Sequence, residues 1–486
     1  MIGFAIRLLS IFTGFIFIML VTRQLSAEDF GTWIWISRLI GYVAFPVLAV
    51  NYWVTRFVAR DFKAAKTGFM LVLILAALGT MVYLLIIPYA ARMSAAPLIF
   101  FGIATSQIPL TYVKENLDSV SYGVKPQIAS YGFFAFEIAK VVLAFLLMAT
   151  LGPTLTSAIL AVAGAQVINI VVLLLFLRED LHGIFDKGLA KRWLKVFWIP
   201  IYTGFSIFFL ATFDATIVIS LSGSNIILAN YGAASVFFGI IMSLGPLASA
   251  LYPRLLGGGG GKDIEEILKL TLLLAIPMCA GVFIIARPLL FMLNPIYVEA
   301  TLVVRALIFY AFILVMMNIL DFVITGSEKV ELKLESTFKD FMKSRLFILP
   351  SINLLMGIFY LISLTLVLLI TLQWGLQPEE IAFYWALTQL VTSIPFFTYK
   401  FWLARKIITF RIPWRQAALY ILASLIMVAA IQTIKLGITY TPSIYIFIYD
   451  ALKLALTGST VYFIIVYIFD PYFRNLLRSI YTSLRF

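Results

Sequence analysis

Long apolar runs alternate with short basic segments along the whole 486-residue chain. Fourteen runs approach or exceed the roughly 20 residues that a helix needs to cross a bilayer: 3–22, 31–55, 68–88, 95–113, 128–150, 157–177, 199–221, 226–251, 270–290, 301–325, 346–372, 381–401, 417–437 and 444–468. None alternates residue by residue as a barrel strand does. Backbone polar groups in lipid need partners within their own segment, so the runs read as helices. The first, Leu8 to Val21, is followed by the polar "RQLSAEDFG" rather than by a small-residue cleavage site. It reads as a retained span.

Composition points the same way. The chain is 63% hydrophobic and 12% charged, where soluble domains run near 25% charged. One cysteine, Cys279, and one histidine, His182, exclude a disulfide framework, a thiolate zinc site and a two-histidine metal centre. No cofactor is expected. The segments between spans are short: "SGSN" (222–225) and "LGPTLTS" (151–157) on one side, 178–198 and 326–345 the longest on the other. No extramembrane domain is left to carry covalent chemistry.

Lysine and arginine fix the expected orientation. With fourteen spans, 28 of them fall on the side of the termini and four, Arg23, Arg92, Arg287 and Lys435, on the other. The positive-inside rule then places both termini in the cytoplasm. The net charge of +13 is mostly this topology signal. It favours anionic lipids and gives no reason to invoke nucleic acid.

The chain also carries a faint repeat. At an offset of about 200 residues, Asp29-Phe30-Gly31 aligns with Asn230-Tyr231-Gly232, Pro46 with Pro246 and Tyr52 with Tyr252, and Arg56 lies near Arg254. This predicts an all-α polytopic membrane protein of about 14 transmembrane helices. Two six-helix lobes would surround a central cavity, with two helices appended. The corresponding domains are 1–198, 199–403 and 404–486. Such repeats are the usual basis of alternating access.

With "LSAEDFGTW" before span two, "YWVTRFVARD" after it and a six-plus-six-plus-two pattern, the chain resembles the polysaccharide-export flippases. These belong to the multidrug/oligosaccharidyl-lipid/polysaccharide (MOP) superfamily. Leu25, Ser26, Glu28, Phe30 and Gly31 carry the most telling part of the likeness. The resemblance implies a flippase, not an enzyme, in the cell membrane. It would move a polyprenyl- or dolichyl-pyrophosphate-linked oligosaccharide outward, with H+ or Na+ coupling. Membrane lipids and glycan-assembly enzymes are further partners it suggests, and a monomer is expected. The last two spans would border a groove for the lipid tail. A cation-coupled multidrug exporter and a lipid II flippase share the superfamily. Span one lacks the deep acidic residue common in the exporters.

Besides Arg7, Arg287, Lys400 and Lys435, which count toward the two sides, eight charged residues fall inside the expected spans: Arg38, Glu137, Lys140, Asp214, Arg305, Asp321, Asp450 and Lys453. Each costs several kcal/mol in hydrocarbon unless it is paired or faces water. Glu137 with Lys140, and Asp450 with Lys453, stand three apart, so each pair can neutralise itself on one helix face or line a cavity. Arg305 and Asp321 lie near opposite ends of span ten and can snorkel. Arg38 and Asp214 have no countercharge within a turn. They either pair with each other or face a hydrated cavity. A guanidinium grips phosphate with two parallel hydrogen bonds. Arg38, Arg305, Lys140 and Lys453 are therefore candidate phosphate or sugar ligands, and Asp214, Glu137 and Asp321 candidate ion-coupling groups.

Three further segments read as structural. "LLGGGGGKD" (Leu255 to Asp263) lacks the P-loop spacing and reads as a flexible linker. Residues 328–345 and the tail from Asp470 read as amphipathic surface helices.

Overall fold

The computed structural model describes residues 2–60, 63–206, 212–249, 251–256, 258–326, 342, 344–435 and 444–484. Among them the chain is helical, with no strand. It divides into two compact units, Met1–Gly232 with Asn353–Ile381, and Ala233–Ile352 with Ala382–Phe486. This partition is not the 1–198, 199–403 and 404–486 division that the repeat suggests. A segment of the second half joins the first unit.

The first unit holds α1 (Ile2–Gln24), α2 (Ala27–Ala44), α3 (Leu48–Val58), α4 (Ala65–Met93), α5 (Leu98–Ala104), α6 (Gln107–Val124), α7 (Pro126–Leu151), α8 (Leu155–Leu177), α9 (Lys187–Lys195), α10 (Trp198–Gly204) and α11 (Asp214–Ser222). It also takes the start of α12 (Asn225–Met242) and most of α17 (Arg345–Gln373). The second unit holds the rest of α12, then α13 (Gly245–Ser249), α14 (Leu251–Leu256), α15 (Gly261–Leu293), α16 (Thr301–Gly326), most of α18 (Pro378–Ile407), α19 (Trp414–Lys435), α20 (Ile444–Phe469) and α21 (Pro471–Leu484).

Among the described residues, eleven helical segments are long and apolar enough to cross a membrane. The protein is a multi-pass membrane protein. The other three expected spans fall on less regular elements. The first lies on α1, whose apolar stretch Phe12–Gln24 is short. The fourth is broken at Thr105–Ser106 between α5 and α6, and the described part of the seventh lies on α10 and α11.

Several connecting segments differ from expectation. The fourth span continues as α6 to Val124, so Lys114 sits on a helix, with its Nζ 2.9 Å from Asp118 and 3.1 Å from Glu115. Segment 178–198 contains α9, capped by Asp186, whose Oδ1 accepts from the Leu189 N–H at 3.0 Å. The glycine run is not a slack linker. Asp263 Oδ2 accepts from the Gly260 N–H at 2.9 Å, and a Cβ on Gly261 would lie 2.3 Å from the Thr409 carbonyl oxygen. Glycine is needed there for close backbone approach. The expected surface helix at 328–345 lies almost wholly outside the described residues.

The repeated motifs meet. Ser26 Oγ accepts from the Asp29 N–H at 3.1 Å, and Glu28 and Asp29 fill the first turn of α2, where the helix dipole favours acids. One step on, a Cβ at Gly31 would sit 1.9 Å from the backbone oxygen of Asn225, at the start of α12. A Cβ at Gly232, the matching glycine, would meet Ile34 at 2.8 Å. Asn225 Nδ2 also donates to the Ser94 carbonyl at 2.7 Å, tying this crossing to the end of α4.

Gly31→Ala should therefore overpack the crossing, which costs about 1–3 kcal/mol and occasionally more. The check is thermal unfolding of the purified protein in detergent. A clear fall in Tm is expected for Gly31→Ala and none for Gly102→Ala, where an added Cβ meets nothing within 4 Å.

Candidate functional site

Helix α2 buries Gly31, Thr32, Trp35, Ile36, Leu39, Ile40, Val43 and Ala44, the spacing of one helical face. Trp35 Nε1 donates to the Ala90 carbonyl at 3.2 Å and Tyr112 Oη to the Val43 carbonyl at 2.7 Å, which locks the helix rotation. Arg38 and Tyr42, one turn apart, are left half-buried at the edge of that face.

Tyr42 organises what stands beside Arg38. Its hydroxyl donates to the Thr212 carbonyl and accepts from Thr216 Oγ1 at 3.3 Å, and its ring lies 6.0 Å from that of Phe213. It is within electrostatic reach of both Arg38 and Asp214. Asp214 is 1% exposed and opens α11. Its Oδ2 accepts from Tyr360 Oη, on α17, at 2.8 Å, and its Oδ1 from the Ala215 N–H at 2.7 Å. A carboxylate at a helix N-terminus, with a phenol donating to it, is well supplied for a buried site.

Arg38 and Asp214 do not form an ion pair. Among the described residues Arg38 makes no hydrogen bond or salt bridge at all. This is a permanently charged fork, within a span, with its donors unspent.

The other sequence candidates are used differently. Lys140 Nζ lies 2.8 Å from Glu137 Oε1, and Thr13 of α1 donates to Glu137 Oε2 at 2.9 Å. The ammonium also lies 5.1 Å from the Phe17 ring and 5.0 Å from that of Phe136. The pair therefore docks α1 on α7.

In the second unit, Asp321 does not snorkel. Its carboxylate oxygens lie 2.8 and 3.0 Å from Lys400 Nζ on α18. The Lys400 side chain is 2% exposed. Sequence reading put Lys400 among the inner-side cations, but α18 runs on to Ile407 and carries it inside the packed helices. Arg305 stacks its guanidinium 4.8 Å from the Phe283 ring, with Nε buried and unpartnered. Asp450 and Lys453 do not pair as their spacing suggests, and Lys453 is exposed.

Comparison with solved structures identifies the architecture. The lipid II flippase MurJ in its inward closed conformation matches with a TM-score of 0.65 at 15% identity, over 98% of this chain and 99% of that one. The chain shares the fold of that structure. An inward-facing multidrug-resistance MATE transporter of the MOP superfamily gives a TM-score of 0.59 at 13% identity, over 84% of this chain and 98% of its own. A MOP transporter from Pyrococcus furiosus gives 0.51 at 15% identity, over 84% of this chain and 94% of its own. No protein-family profile and no curated protein sequence matches the chain. The likeness to these MOP structures is thus one of fold, and it bears out the all-helical membrane architecture read from the sequence.

Sequence reasoning passed over Tyr42, Thr216, Tyr360 and Lys400. Tyr42 had a signal, since it stands one turn after Arg38. Tyr360 had none, as it lies 146 positions from Asp214.

Breaking the buried pair tests its account. Lys400→Met leaves Asp321 with an uncompensated charge and should cost about 3–5 kcal/mol, while Lys400→Met with Asp321→Leu should recover most of that. Thermal melts of the four proteins in a double-mutant cycle provide the check.

Proposed function

We propose that this protein is a flippase that moves a polyprenyl-(pyro)phosphate-linked oligosaccharide from the cytoplasmic to the outer leaflet by alternating access. The observation that carries this reading is Arg38. A guanidinium in a span with no countercharge among the described residues is costly unless it faces a water-filled cavity, the place where a ligand would meet it. A phosphate is the ligand its planar fork fits best. Match in fold over 98% of the chain to a structure named as a lipid II flippase supports the choice over drug export, since the MATE structures cover 84%.

In this reading Arg38 holds the phosphate while the sugars cross, and Tyr42 keeps its side chain from turning toward Asp214. Asp214, held by Tyr360, is the ion-coupling group, binding H+ or Na+ in step with the conformational cycle. Glu137, Lys140, Asp321 and Lys400 hold helices together. The protein works in the cell membrane with both termini cytoplasmic.

The test is leaflet exchange of a fluorescent polyprenyl-pyrophosphate oligosaccharide in liposomes, read with a membrane-impermeant quencher. Arg38→Ala should slow exchange on the order of tenfold to a hundredfold, the worth of one or two charged hydrogen bonds. Arg38→Lys should recover part of it, because an ammonium keeps the charge and loses the fork. Unchanged exchange in Arg38→Ala would remove the arginine from the site. Absent exchange in the wild type, with pH-driven efflux of organic cations, would move the protein to drug export.

A further inference from the structure

Helix α20 ends at Phe469, and the chain turns at Asp470 into α21. The turn is fixed. Asp470 is 2% exposed; its Oδ2 accepts from Tyr420 Oη at 2.7 Å and its Oδ1 from the Tyr472 N–H at 3.0 Å, which caps α21. Phe463 and Phe473 stack across the corner, with ring centroids 5.6 Å apart and planes 20° from parallel. Tyr462 Oη donates to the Leu273 carbonyl at 2.7 Å and anchors α20 to α15. The angle between α20 and α21 is therefore built in.

An open groove of about 480 Å³ runs along this corner, lined by Ser459, Phe463, Tyr467 and Ile468 of α20 and by Phe473 and Leu477 of α21, among others. From Ser459 to Ile468 it runs about 13 Å along the span at the helical rise. Its walls are apolar, so they suit a hydrocarbon chain. Its mouth is basic. Arg474 and Arg478 follow Phe473 and Leu477 by one residue each, so the two guanidiniums flank the apolar stripe of α21. Arg474 donates one bond, from Nη1 to the Ile468 carbonyl at 3.1 Å, and Arg478 is exposed. Among the described residues no acid pairs with either. Lys269 adds a third cation, 6.0 Å from the Tyr472 ring. The neighbouring acid Glu266 is engaged by Arg254 at 3.0 Å.

We propose that this corner binds one anionic phospholipid of the cytoplasmic leaflet, its acyl chain in the α20–α21 groove and its phosphate on Arg474 and Arg478. A surface anchor would need only the amphipathic helix. A preformed groove beside two guanidiniums that no described acid neutralises selects a particular lipid and retains it. The groove belongs to the second unit and Arg38 to the first, and the proposal stands whether or not the transported molecule is a lipid-linked glycan.

Native mass spectrometry of the full-length protein in detergent provides the test, after exposure to dioleoyl phosphatidylglycerol, dioleoyl phosphatidylcholine or undecaprenyl phosphate. The wild type should retain the glycerol lipid well above the choline lipid. Arg474→Gln with Arg478→Gln should lower that retention roughly thirtyfold, from about 1 kcal/mol per basic residue at the surface, with an unchanged melting curve. Leu477→Trp, which fills the groove and keeps both charges, should also lower it. Equal retention of the two phospholipids, or a preference that survives both variants, would overturn the proposal. Displacement of phosphatidylglycerol by equimolar undecaprenyl phosphate would overturn it too, and would assign the groove to a polyprenyl chain.

Discussion

A charge in hydrocarbon must be answered, and the way each one is answered organises this protein. Glu137 is held by Lys140 and Thr13, which fastens α1 to α7. Asp321 is held by Lys400, which fastens α16 to α18. Asp470 is spent on Tyr420 and on the first turn of α21, which sets a corner. In each case the cost of desolvation is offset locally, and the product is a fixed helix–helix geometry rather than a large gain in stability. Arg38 is the exception on α2, with no partner among the described residues.

Two tyrosines stand around Arg38 and Asp214, which form no ion pair with each other. Tyr42 stands within reach of both and spends its own donor on the Thr212 carbonyl. Tyr360 and the first turn of α11 supply the carboxylate with neutral donors. Both donors fix the carboxylate's position at the head of α11.

Much of this architecture was legible in the sequence, because span length and apolarity are imposed by the bilayer itself. Most spans came out within a few residues of the helices, although α15 starts at Gly261 rather than at 270, and the fourth blurred at α5–α6, where the chain breaks inside an apolar run. Partners were far less legible. Spacing of three found Glu137 with Lys140 but failed for Asp450 and Lys453, since helical spacing permits a contact without requiring it. Lys400 was misplaced because hydropathy falls before α18 ends. The glycine run was misread for a related reason: what makes Gly261 necessary is the Thr409 backbone, 148 positions away in sequence, and composition carries no trace of it.

The two glycines at the α2–α12 crossing are alike in sequence but unequal in what surrounds them. At Gly232 the obstructing atoms belong to the Ile34 side chain, so a larger residue there could be accommodated in a lineage where position 34 has become smaller. At Gly31 the obstructing atom is a backbone oxygen, which every residue type at position 225 would carry. Related chains should therefore show position 232 drifting together with position 34, while position 31 stays glycine however far the rest of the sequence diverges.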